Sequence, residues 1–169
     1  MRLSRPLVRP APSRQSEAVI LFGVGEVTFA VAANALDEIR NVEGLRPLVQ
    51  PLVPKVRHIF ERASKTYYVV DGGFYFQMLP VHTSHLLILR RQPVALLVER
   101  IELMKEISAI YALPRSFSGE ERQWYRGLAV LPGARGESDV VPVVNPDVLL
   151  REEELRLLAP LVRSRGAKP

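Results

Sequence analysis

The sequence predicts a mainly β protein built from small antiparallel barrels, and three observations support this class. About eight to ten short runs alternate apolar with polar residues or are rich in β-branched residues. Turn-forming residues separate these runs at short intervals. The only long helix is expected near the C-terminus. Closing short strands into barrels removes the open sheet edges that would otherwise pair with other chains.

Order is expected to begin near Glu17. Residues 1–16 contain three prolines and four arginines without periodicity, which predicts a disordered basic tail. Residues 18–34 then read AVILFGVGEVTFAVAAN, two alternating runs joined by Gly25-Glu26, and this pattern predicts a β-hairpin. Asn34 is expected to cap a short helical turn after it.

The middle of the chain predicts a connection followed by a short helix. Prolines at 47, 51 and 54 favour an extended connection. An amphipathic helix is predicted near residues 54–64, because Pro54 suits a first helical turn and apolar residues recur at helical spacing. Those apolar residues are Val56, Ile59, Phe60 and Ala63.

Residues 67–81 read YYVVDGGFYFQMLPV, with aromatic and β-branched residues on both sides of Asp71-Gly72-Gly73. No phosphate-binding or metal-binding pattern surrounds this tripeptide. We therefore predict a hairpin turn between two strands.

Two more hairpins and a helix are predicted in the C-terminal half. HLLILRRQPVALLV predicts strands joined by residues 90–93, with Val94–Val98 buried on both faces. WYRGLAVL and VVPVVN predict another antiparallel pair. Asn145-Pro146-Asp147 is a strong helix start, so the last helix is predicted from about Pro146 to Leu158, ending before Pro160. One domain over residues 17–158 and a flexible basic tail over residues 159–169 follow.

The charge lies mainly in the tails. The net charge is +5, but residues 1–16 carry four arginines and no acid, and the last ten residues carry three basic residues and no acid, which leaves the body at about −2. A nucleic-acid partner is therefore not expected. The chain has no cysteine and no apolar run of about 18 residues, so we expect a cytoplasmic protein without a membrane span.

No catalytic, cofactor or metal site is predicted. His82 and His85 would point to opposite faces of a strand, and Ser84 beside His85 is only adjacency in sequence. Glu99 and Glu102 have no apolar pocket that would make them an acid/base pair. The chain is accordingly expected not to be an enzyme.

Trp124 and its neighbours leave two interpretations open. The dipeptide Trp124-Tyr125 precedes Arg126-Gly127, a combination that fits either an interface anchor or core packing. A rival function is a small-barrel protein that binds single-stranded nucleic acid, stacking bases on exposed aromatic side chains. The aromatic residues it would use are Tyr67, Tyr68, Phe74, Tyr75 and Phe76.

Three segments, taken in order, resemble the CheW-like domain of bacterial chemosensory adaptors. Residues 18–48 are similar to its opening hairpin and Val-x-Glu-Ile segment, with Glu38-Ile39 in the matching place. LLILRRQPVALLVERIELM is similar to its central hairpin, with Leu97-Val98-Glu99-Arg100-Ile101 for Leu-Val-Asp-x-Val. Residues 124–150 resemble its closing Arg-Gly-Val hairpin and helix start.

The resemblance implies two intertwined five-stranded barrels around a shared core. The helix predicted near residues 54–64 would be a short insertion into this fold, and the predicted last helix would be its C-terminal helix. It also implies an adaptor without cofactors that binds the regulatory domain of a CheA-type histidine kinase and the cytoplasmic tip of chemoreceptors. The family signature Gly-Val-Ile-Asn-Leu-Arg-Gly, followed by a strand ending Leu-Pro-Val and then Asp-Leu, is retained only as Leu79-Pro80-Val81. A gap-free alignment places Tyr75 and Phe76 at its Arg-Gly. The residues expected to bind partners are Glu38, Tyr75, Phe76, Pro80, Val81, Glu99, Arg100, Trp124, Arg126 and Gly127.

Overall fold

A computed structural model describes residues 16–78, 82–132 and 138–166, with side chains as far as Pro160. Within these residues the chain forms eleven strands and two helices. The strands are β1 (Glu17–Val24), β2 (Val27–Ala32), β3 (Leu36–Asn41), β4 (Arg46–Pro47), β5 (Val56–Arg62), β6 (Lys65–Asp71), β7 (His85–Leu89), β8 (Val94–Val98), β9 (Arg100–Ile107), β10 (Tyr125–Pro132) and β11 (Ser138–Val144). The helices are α1 (Gly72–Tyr75) and α2 (Glu152–Gly166).

The strands form two sheets, which confirms the mainly β fold class. Sheet 1 has the order β10-β11-β2-β1-β9, and sheet 2 has the order β3-β7-β8-β6-β5-β4. The chain thus begins in sheet 1, builds sheet 2 and returns to sheet 1. Sheet 2 has six strands instead of five because the two-residue strand β4 pairs with β5.

Sheet 1 closes on itself through one backbone bridge. Tyr111 and Leu128 exchange two hydrogen bonds, each 2.8 Å from N to O, so the segment after β9 joins β10. The predicted β1–β2 hairpin is present, with Val24 opposite Val27 and Gly25 in the left-handed region at a φ of 60°. Sheet 1 encloses a small core that includes Val19, Leu21, Ala30, Ile107, Ala129, Leu131, Val141 and Val143.

Residues 54–64 form a strand instead of the predicted helix. β5 pairs with β6 in an antiparallel hairpin, and Ala63 and Ser64 make its turn with φ values of 50° and 64°. A bulge between Val56 and His58 interrupts the alternation of β5. The extra residue puts Val56 and Ile59, three positions apart, on one face of the sheet, while Phe60 is buried on the other face. Together these positions imitate one face of a helix, which is why the sequence pattern predicted the wrong element.

Sheet 2 has a core of its own, and a third core, the shared core, lies between the two sheets. The side chains of β8 alternate between them: Ala95 and Leu97 face the core of sheet 2, while Val94, Leu96 and Val98 face the shared core. All five are buried, as the continuous apolar run predicted. Burying a side chain of valine or leucine size stabilises the fold by about 1.5–3 kcal/mol, so this strand contributes strongly to joining the two sheets.

Asp71-Gly72-Gly73 begins a helix instead of the predicted hairpin turn. The Phe74 amide donates to Asp71 Oδ1 at 2.9 Å, so Asp71 caps the single turn of α1. Gly72 lies against the Leu97 carbonyl oxygen, where a Cβ atom would collide. The close approach requires glycine. β6 therefore pairs with β5 and β8, and not with the segment that follows it.

The C-terminal helix begins and ends later than predicted. Asn145 caps only a 3₁₀ turn over Pro146–Val148 through a 3.1 Å bond from the Asp147 amide. α2 begins at Glu152 and continues through Pro160 to Gly166. The Arg151 amide, just before the helix, donates a hydrogen bond to Glu154 Oε1 at 3.0 Å. Among the described residues no helix is long and apolar enough to cross a membrane.

A second short turn lies between β2 and β3. Residues Ala33–Ala35 form a 3₁₀ helix, so Asn34 sits inside the turn and does not cap it. β3 follows at once, with Leu36 buried and Ile39 38% exposed. The turn predicted after Asn34 is therefore wrong in position as well as in its cap, because the residues that follow Ala35 are already in β3.

Candidate functional site

An arginine at the end of β5 reaches two acidic residues on β3. Arg62 contacts Asp37 Oδ2 through Nη1 at 2.7 Å and Glu38 Oε2 through Nε at 2.9 Å. Its Nη1 also donates to the Tyr67 hydroxyl at 3.3 Å. The hydrogen bond to Asp37 and that to Tyr67 raise the pKa of Arg62 above its ordinary value. We call Asp37, Glu38 and Arg62 the acid–arginine cluster.

The cluster lies on the surface of sheet 2, at the place where the curved sheet brings the end of β5 close to β3. The Arg62 side chain is 28% exposed, and those of Asp37 and Glu38 are 41% and 40% exposed. Ile39 follows Glu38 and is also partly exposed. A partner approaching β3 would therefore meet a fixed arrangement of charges beside an apolar side chain.

The β5–β6 hairpin places an arginine directly before a turn. Arg62 ends β5, and the next strand, β6, ends in Val69-Val70-Asp71. Tyr75 and Phe76, which the gap-free alignment places at the signature's Arg-Gly, follow this hairpin at the end of α1.

Tyr75 and Phe76 lie inside the protein. They are 6% and 5% exposed and pack in the shared core, where the Phe76 ring stacks on Phe29 at 4.2 Å between centroids. Burial raises the pKa of the Tyr75 hydroxyl strongly, and this hydroxyl has no hydrogen-bond partner among the residues that the structure describes. Such burial does not fit a contact surface. Pro80 and Val81 lie outside the described residues.

Glu99 and Arg100 fasten the turn of the β1–β2 hairpin. The Gly25 amide donates to Glu99 Oε2 at 2.8 Å, and Arg100 Nη1 donates to the Gly25 carbonyl oxygen. The Arg100 side chain passes over Gly23, where any side chain would collide with it. Glu102 receives a 2.9 Å hydrogen bond from Thr28. Both candidate residues thus hold the hairpin and keep about a third of their side-chain surface exposed.

Trp124, Arg126 and Gly127 lie at the start of β10 and differ in their surroundings. Trp124 is partly buried and packs on Tyr75, with 5.1 Å between ring centroids. Arg126 donates to both carboxylate oxygens of Glu17 at 2.7 and 3.2 Å. Gly127 lies against the Tyr111 carbonyl oxygen at the bridge that closes sheet 1. Core packing is thus what the Trp124 contacts show.

A cleft of about 290 Å³ opens where the two sheets meet. Sheet 1 contributes Glu17 and Arg126, and the β7–β8 turn contributes Arg91 and Gln92. The Gln92 side-chain oxygen is buried without a hydrogen-bond partner. Of the candidate residues from the sequence, only Arg126 lines this cleft.

Ser84 and His85 do not form a catalytic pair. The Ser84 hydroxyl donates its single proton to the Glu99 carbonyl oxygen. The His85 Nδ1 contact at 2.9 Å therefore requires the ring to donate, so His85 cannot act as the base towards Ser84. No group of three possible metal ligands occurs in the described ranges.

Comparison with known proteins shows structural similarity without sequence similarity. No family model matches the chain, and no curated protein matches it. The fold is similar to the crystal structure of scaffolding protein TtCheW from Thermoanaerobacter tengcongensis, with a TM-score of 0.68 and 12% sequence identity. The match covers 90% of this chain and 96% of that chain. The chain therefore has the CheW-like fold.

Proposed function

We propose that the protein is a non-enzymatic adaptor of bacterial chemosensory signalling. It couples chemoreceptors to a CheA-type histidine kinase through protein contacts alone. The observation that carries this proposal is the structural match to a scaffolding protein over nearly the whole of both chains. A cytoplasmic location at receptor assemblies belongs to the same proposal, and imaging a fluorescent fusion beside labelled receptors tests it.

The acid–arginine cluster supports an adaptor role. It contains Glu38, the residue in the matching place of the Val-x-Glu-Ile segment, and its charges are held in one arrangement by two ion pairs. Preorganised charges at the rim of a contact favour the correct partner and its orientation. We propose Glu38 as a contact residue and Arg62 as the residue that positions it.

The experiment titrates the purified full chain against the kinase regulatory domain and against a receptor-tip fragment. Arg62→Ala is expected to weaken binding of at least one partner by about tenfold, the usual consequence of losing about 1.4 kcal/mol. Arg46→Ala is the matched control, since Arg46 pairs with Glu61 at 2.7 Å on the same sheet. The absence of binding to both partners at roughly 100 μM would reject the adaptor function.

A second variant tests the cleft between the sheets. Arg126 lines it and is held by Glu17, so Arg126→Ala changes the charge of the cleft without touching the acid–arginine cluster. If Arg126→Ala weakens binding of one partner and Arg62→Ala weakens binding of the other, the cleft and the acid–arginine cluster contact different partners. If Arg126→Ala leaves the affinity for both partners unchanged, Arg126 is not part of the contact surface.

The aromatic residues required by the rival nucleic-acid function are mostly buried. Of the five aromatic residues that base stacking would need, Tyr67, Tyr68, Tyr75 and Phe76 are buried, and Phe74 is 47% exposed. One exposed ring is too little for a stacking platform, which uses several aromatic side chains in succession.

A further inference from the structure

The outer face of the β10–β11 hairpin carries a contiguous group of apolar side chains. Leu128 lies opposite Pro142, Val130 lies opposite Val140, and Tyr111 lies opposite Leu128 in the bridge that closes sheet 1. Directly opposed residues of an antiparallel pair have their side chains on the same face, with Cβ atoms about 4.5–5.5 Å apart. The register thus places these five residues in two adjacent rows, which we call the hairpin ladder.

The hairpin ladder faces away from the core of sheet 1. The residues of both strands that alternate with it belong to that core, namely Ala129, Leu131, Val141 and Val143. Because side chains alternate along a strand, the ladder residues point outward. Val130, Val140 and Tyr111 are 44%, 58% and 52% exposed, while Leu128 and Pro142 are partly buried.

The row of the hairpin next to the ladder is covered by sheet 2. Tyr125 lies opposite Val144, and both pack in the shared core between the two sheets. The outer face of the hairpin thus passes from a sheet-on-sheet contact within the molecule directly to solvent. An apolar sheet face is stable when another element buries it. The ladder continues an existing interface, and in the described part of the chain its valines are left uncovered.

The free edge of β10 offers little to an added strand. The Leu128 amide already donates to the Tyr111 carbonyl oxygen at this edge, with 2.8 Å from N to O. Alternate amides along the strand point the same way, and Pro132 has no amide hydrogen, so only the Val130 amide remains. A partner must therefore cover the ladder face to face.

The ladder has no charge that would select a charged partner. All five of its side chains are uncharged. Arg126, at the bulge beside the ladder, donates to both carboxylate oxygens of Glu17 at 2.7 and 3.2 Å, so its charge is already paired. The surface that suits the ladder is apolar, uncharged and shaped like a sheet face. The ladder of a second copy has these properties, and a two-fold axis would bring the two identical faces together.

We propose that two copies of the protein associate through their hairpin ladders, face to face across a two-fold axis. Five side chains are about a fifth of the 20–30 residues that each partner contributes to a standard interface. The dimer is accordingly weak, with a Kd on the order of 0.1–1 mM. The proposal does not rest on the adaptor function, and its failure would leave the titrations with kinase and receptor unaffected.

Analytical ultracentrifugation of the full chain from about 10 μM to about 1 mM measures the association. Salt at about 0.15 M screens the net charge of +5, which otherwise opposes the meeting of two copies. The average mass should rise from that of the monomer towards that of the dimer. Amide NMR signals of Tyr111 and of residues 128–131 and 139–142 should shift over the same concentrations. A mass that stays monomeric at about 1 mM would overturn the proposal and leave the ladder to a different protein, and shifts confined to other residues would also overturn it.

Charge variants make the test specific to the ladder. Val140→Lys and Val130→Glu should each weaken association at least about tenfold, because the dimer would bury unpaired charges. A mixture of the two variants should associate more tightly than either alone, since the two positions are neighbours and their new charges attract. Val49→Lys is the matched control, at a 96% exposed valine outside the ladder, and should leave association unchanged. An equal effect of Val140→Lys and Val49→Lys, or a mixture no tighter than its components, would overturn the proposal.

Discussion

Replacing Gly127 with alanine is expected to open the closure of sheet 1. A Cβ atom at this position would collide with the Tyr111 carbonyl oxygen and with the Ile110 side chain. The Tyr111 carbonyl is half of the two-bond bridge to Leu128 that joins the first and last parts of the sheet. The new methyl group can fit only if this bridge moves.

The expected cost follows from these contacts. Overpacking a close contact costs about 1–3 kcal/mol. Losing the two bridge hydrogen bonds costs about 0.5–1.5 kcal/mol each. We expect Gly127→Ala to lower the free energy of unfolding by about 4 kcal/mol, a large part of the roughly 5–15 kcal/mol of a typical domain.

Urea unfolding measures this cost. Trp124, the single tryptophan, lies at the start of β10 and provides the fluorescence signal. Gly44→Ala is the control, because Gly44 has a φ of 68° but open space around it. It should cost only the roughly 1–2 kcal/mol of a left-handed alanine. If Gly127→Ala is no more destabilising than Gly44→Ala, the bridge does not depend on glycine and the reasoning is wrong.

Two further predictions concern tyrosines at the shared core. Tyr75→Phe should raise the free energy of unfolding by about 1 kcal/mol in urea unfolding, because the hydroxyl is buried without a partner in the described part of the chain; a lower stability would show that this hydroxyl is bonded. Burial raises the pKa of Tyr125 to about 12, so the folded state keeps a proton that the unfolded state releases near pH 10. Stability should therefore be complete below pH 10 and fall between about pH 10 and 12, and Tyr125→Phe should reduce this fall in urea midpoints measured across that range.

The sequence could predict strands that are regular and bounded by turn residues. The hairpins β1–β2 and β10–β11 were placed correctly from alternating runs, and β7–β8 from two continuous apolar runs joined by a turn. β5 could not be predicted because a bulge changes its period, and α1 could not because Asp-Gly-Gly suits a cap as well as a turn. Asn145 does cap a helical turn, as its sequence context predicts, but this turn is a single 3₁₀ turn and not the start of the last helix.

The candidate site was predictable in part. Glu38 is predicted from its place in the Val-x-Glu-Ile segment, but its partner Arg62 is not, because residues 54–64 are predicted to form a helix. Reading β5 as a strand would have placed Arg62 next to a turn. The ion pairs between Arg62 of β5 and the two acidic residues of β3 depend on how sheet 2 curves. No local sequence pattern encodes that curvature.

The location of the charges makes binding variants interpretable. No charged side chain in the described residues is buried, so all three cores are held by apolar and aromatic packing. An exposed ion pair contributes only about 0–1 kcal/mol to stability. Arg62→Ala should therefore leave the protein folded, and a loss of binding in this variant would report on the contact surface. Tyr75 and Phe76 differ, since replacing both with serine would remove buried rings worth about 3–5 kcal/mol each and would unfold the shared core before any partner is added.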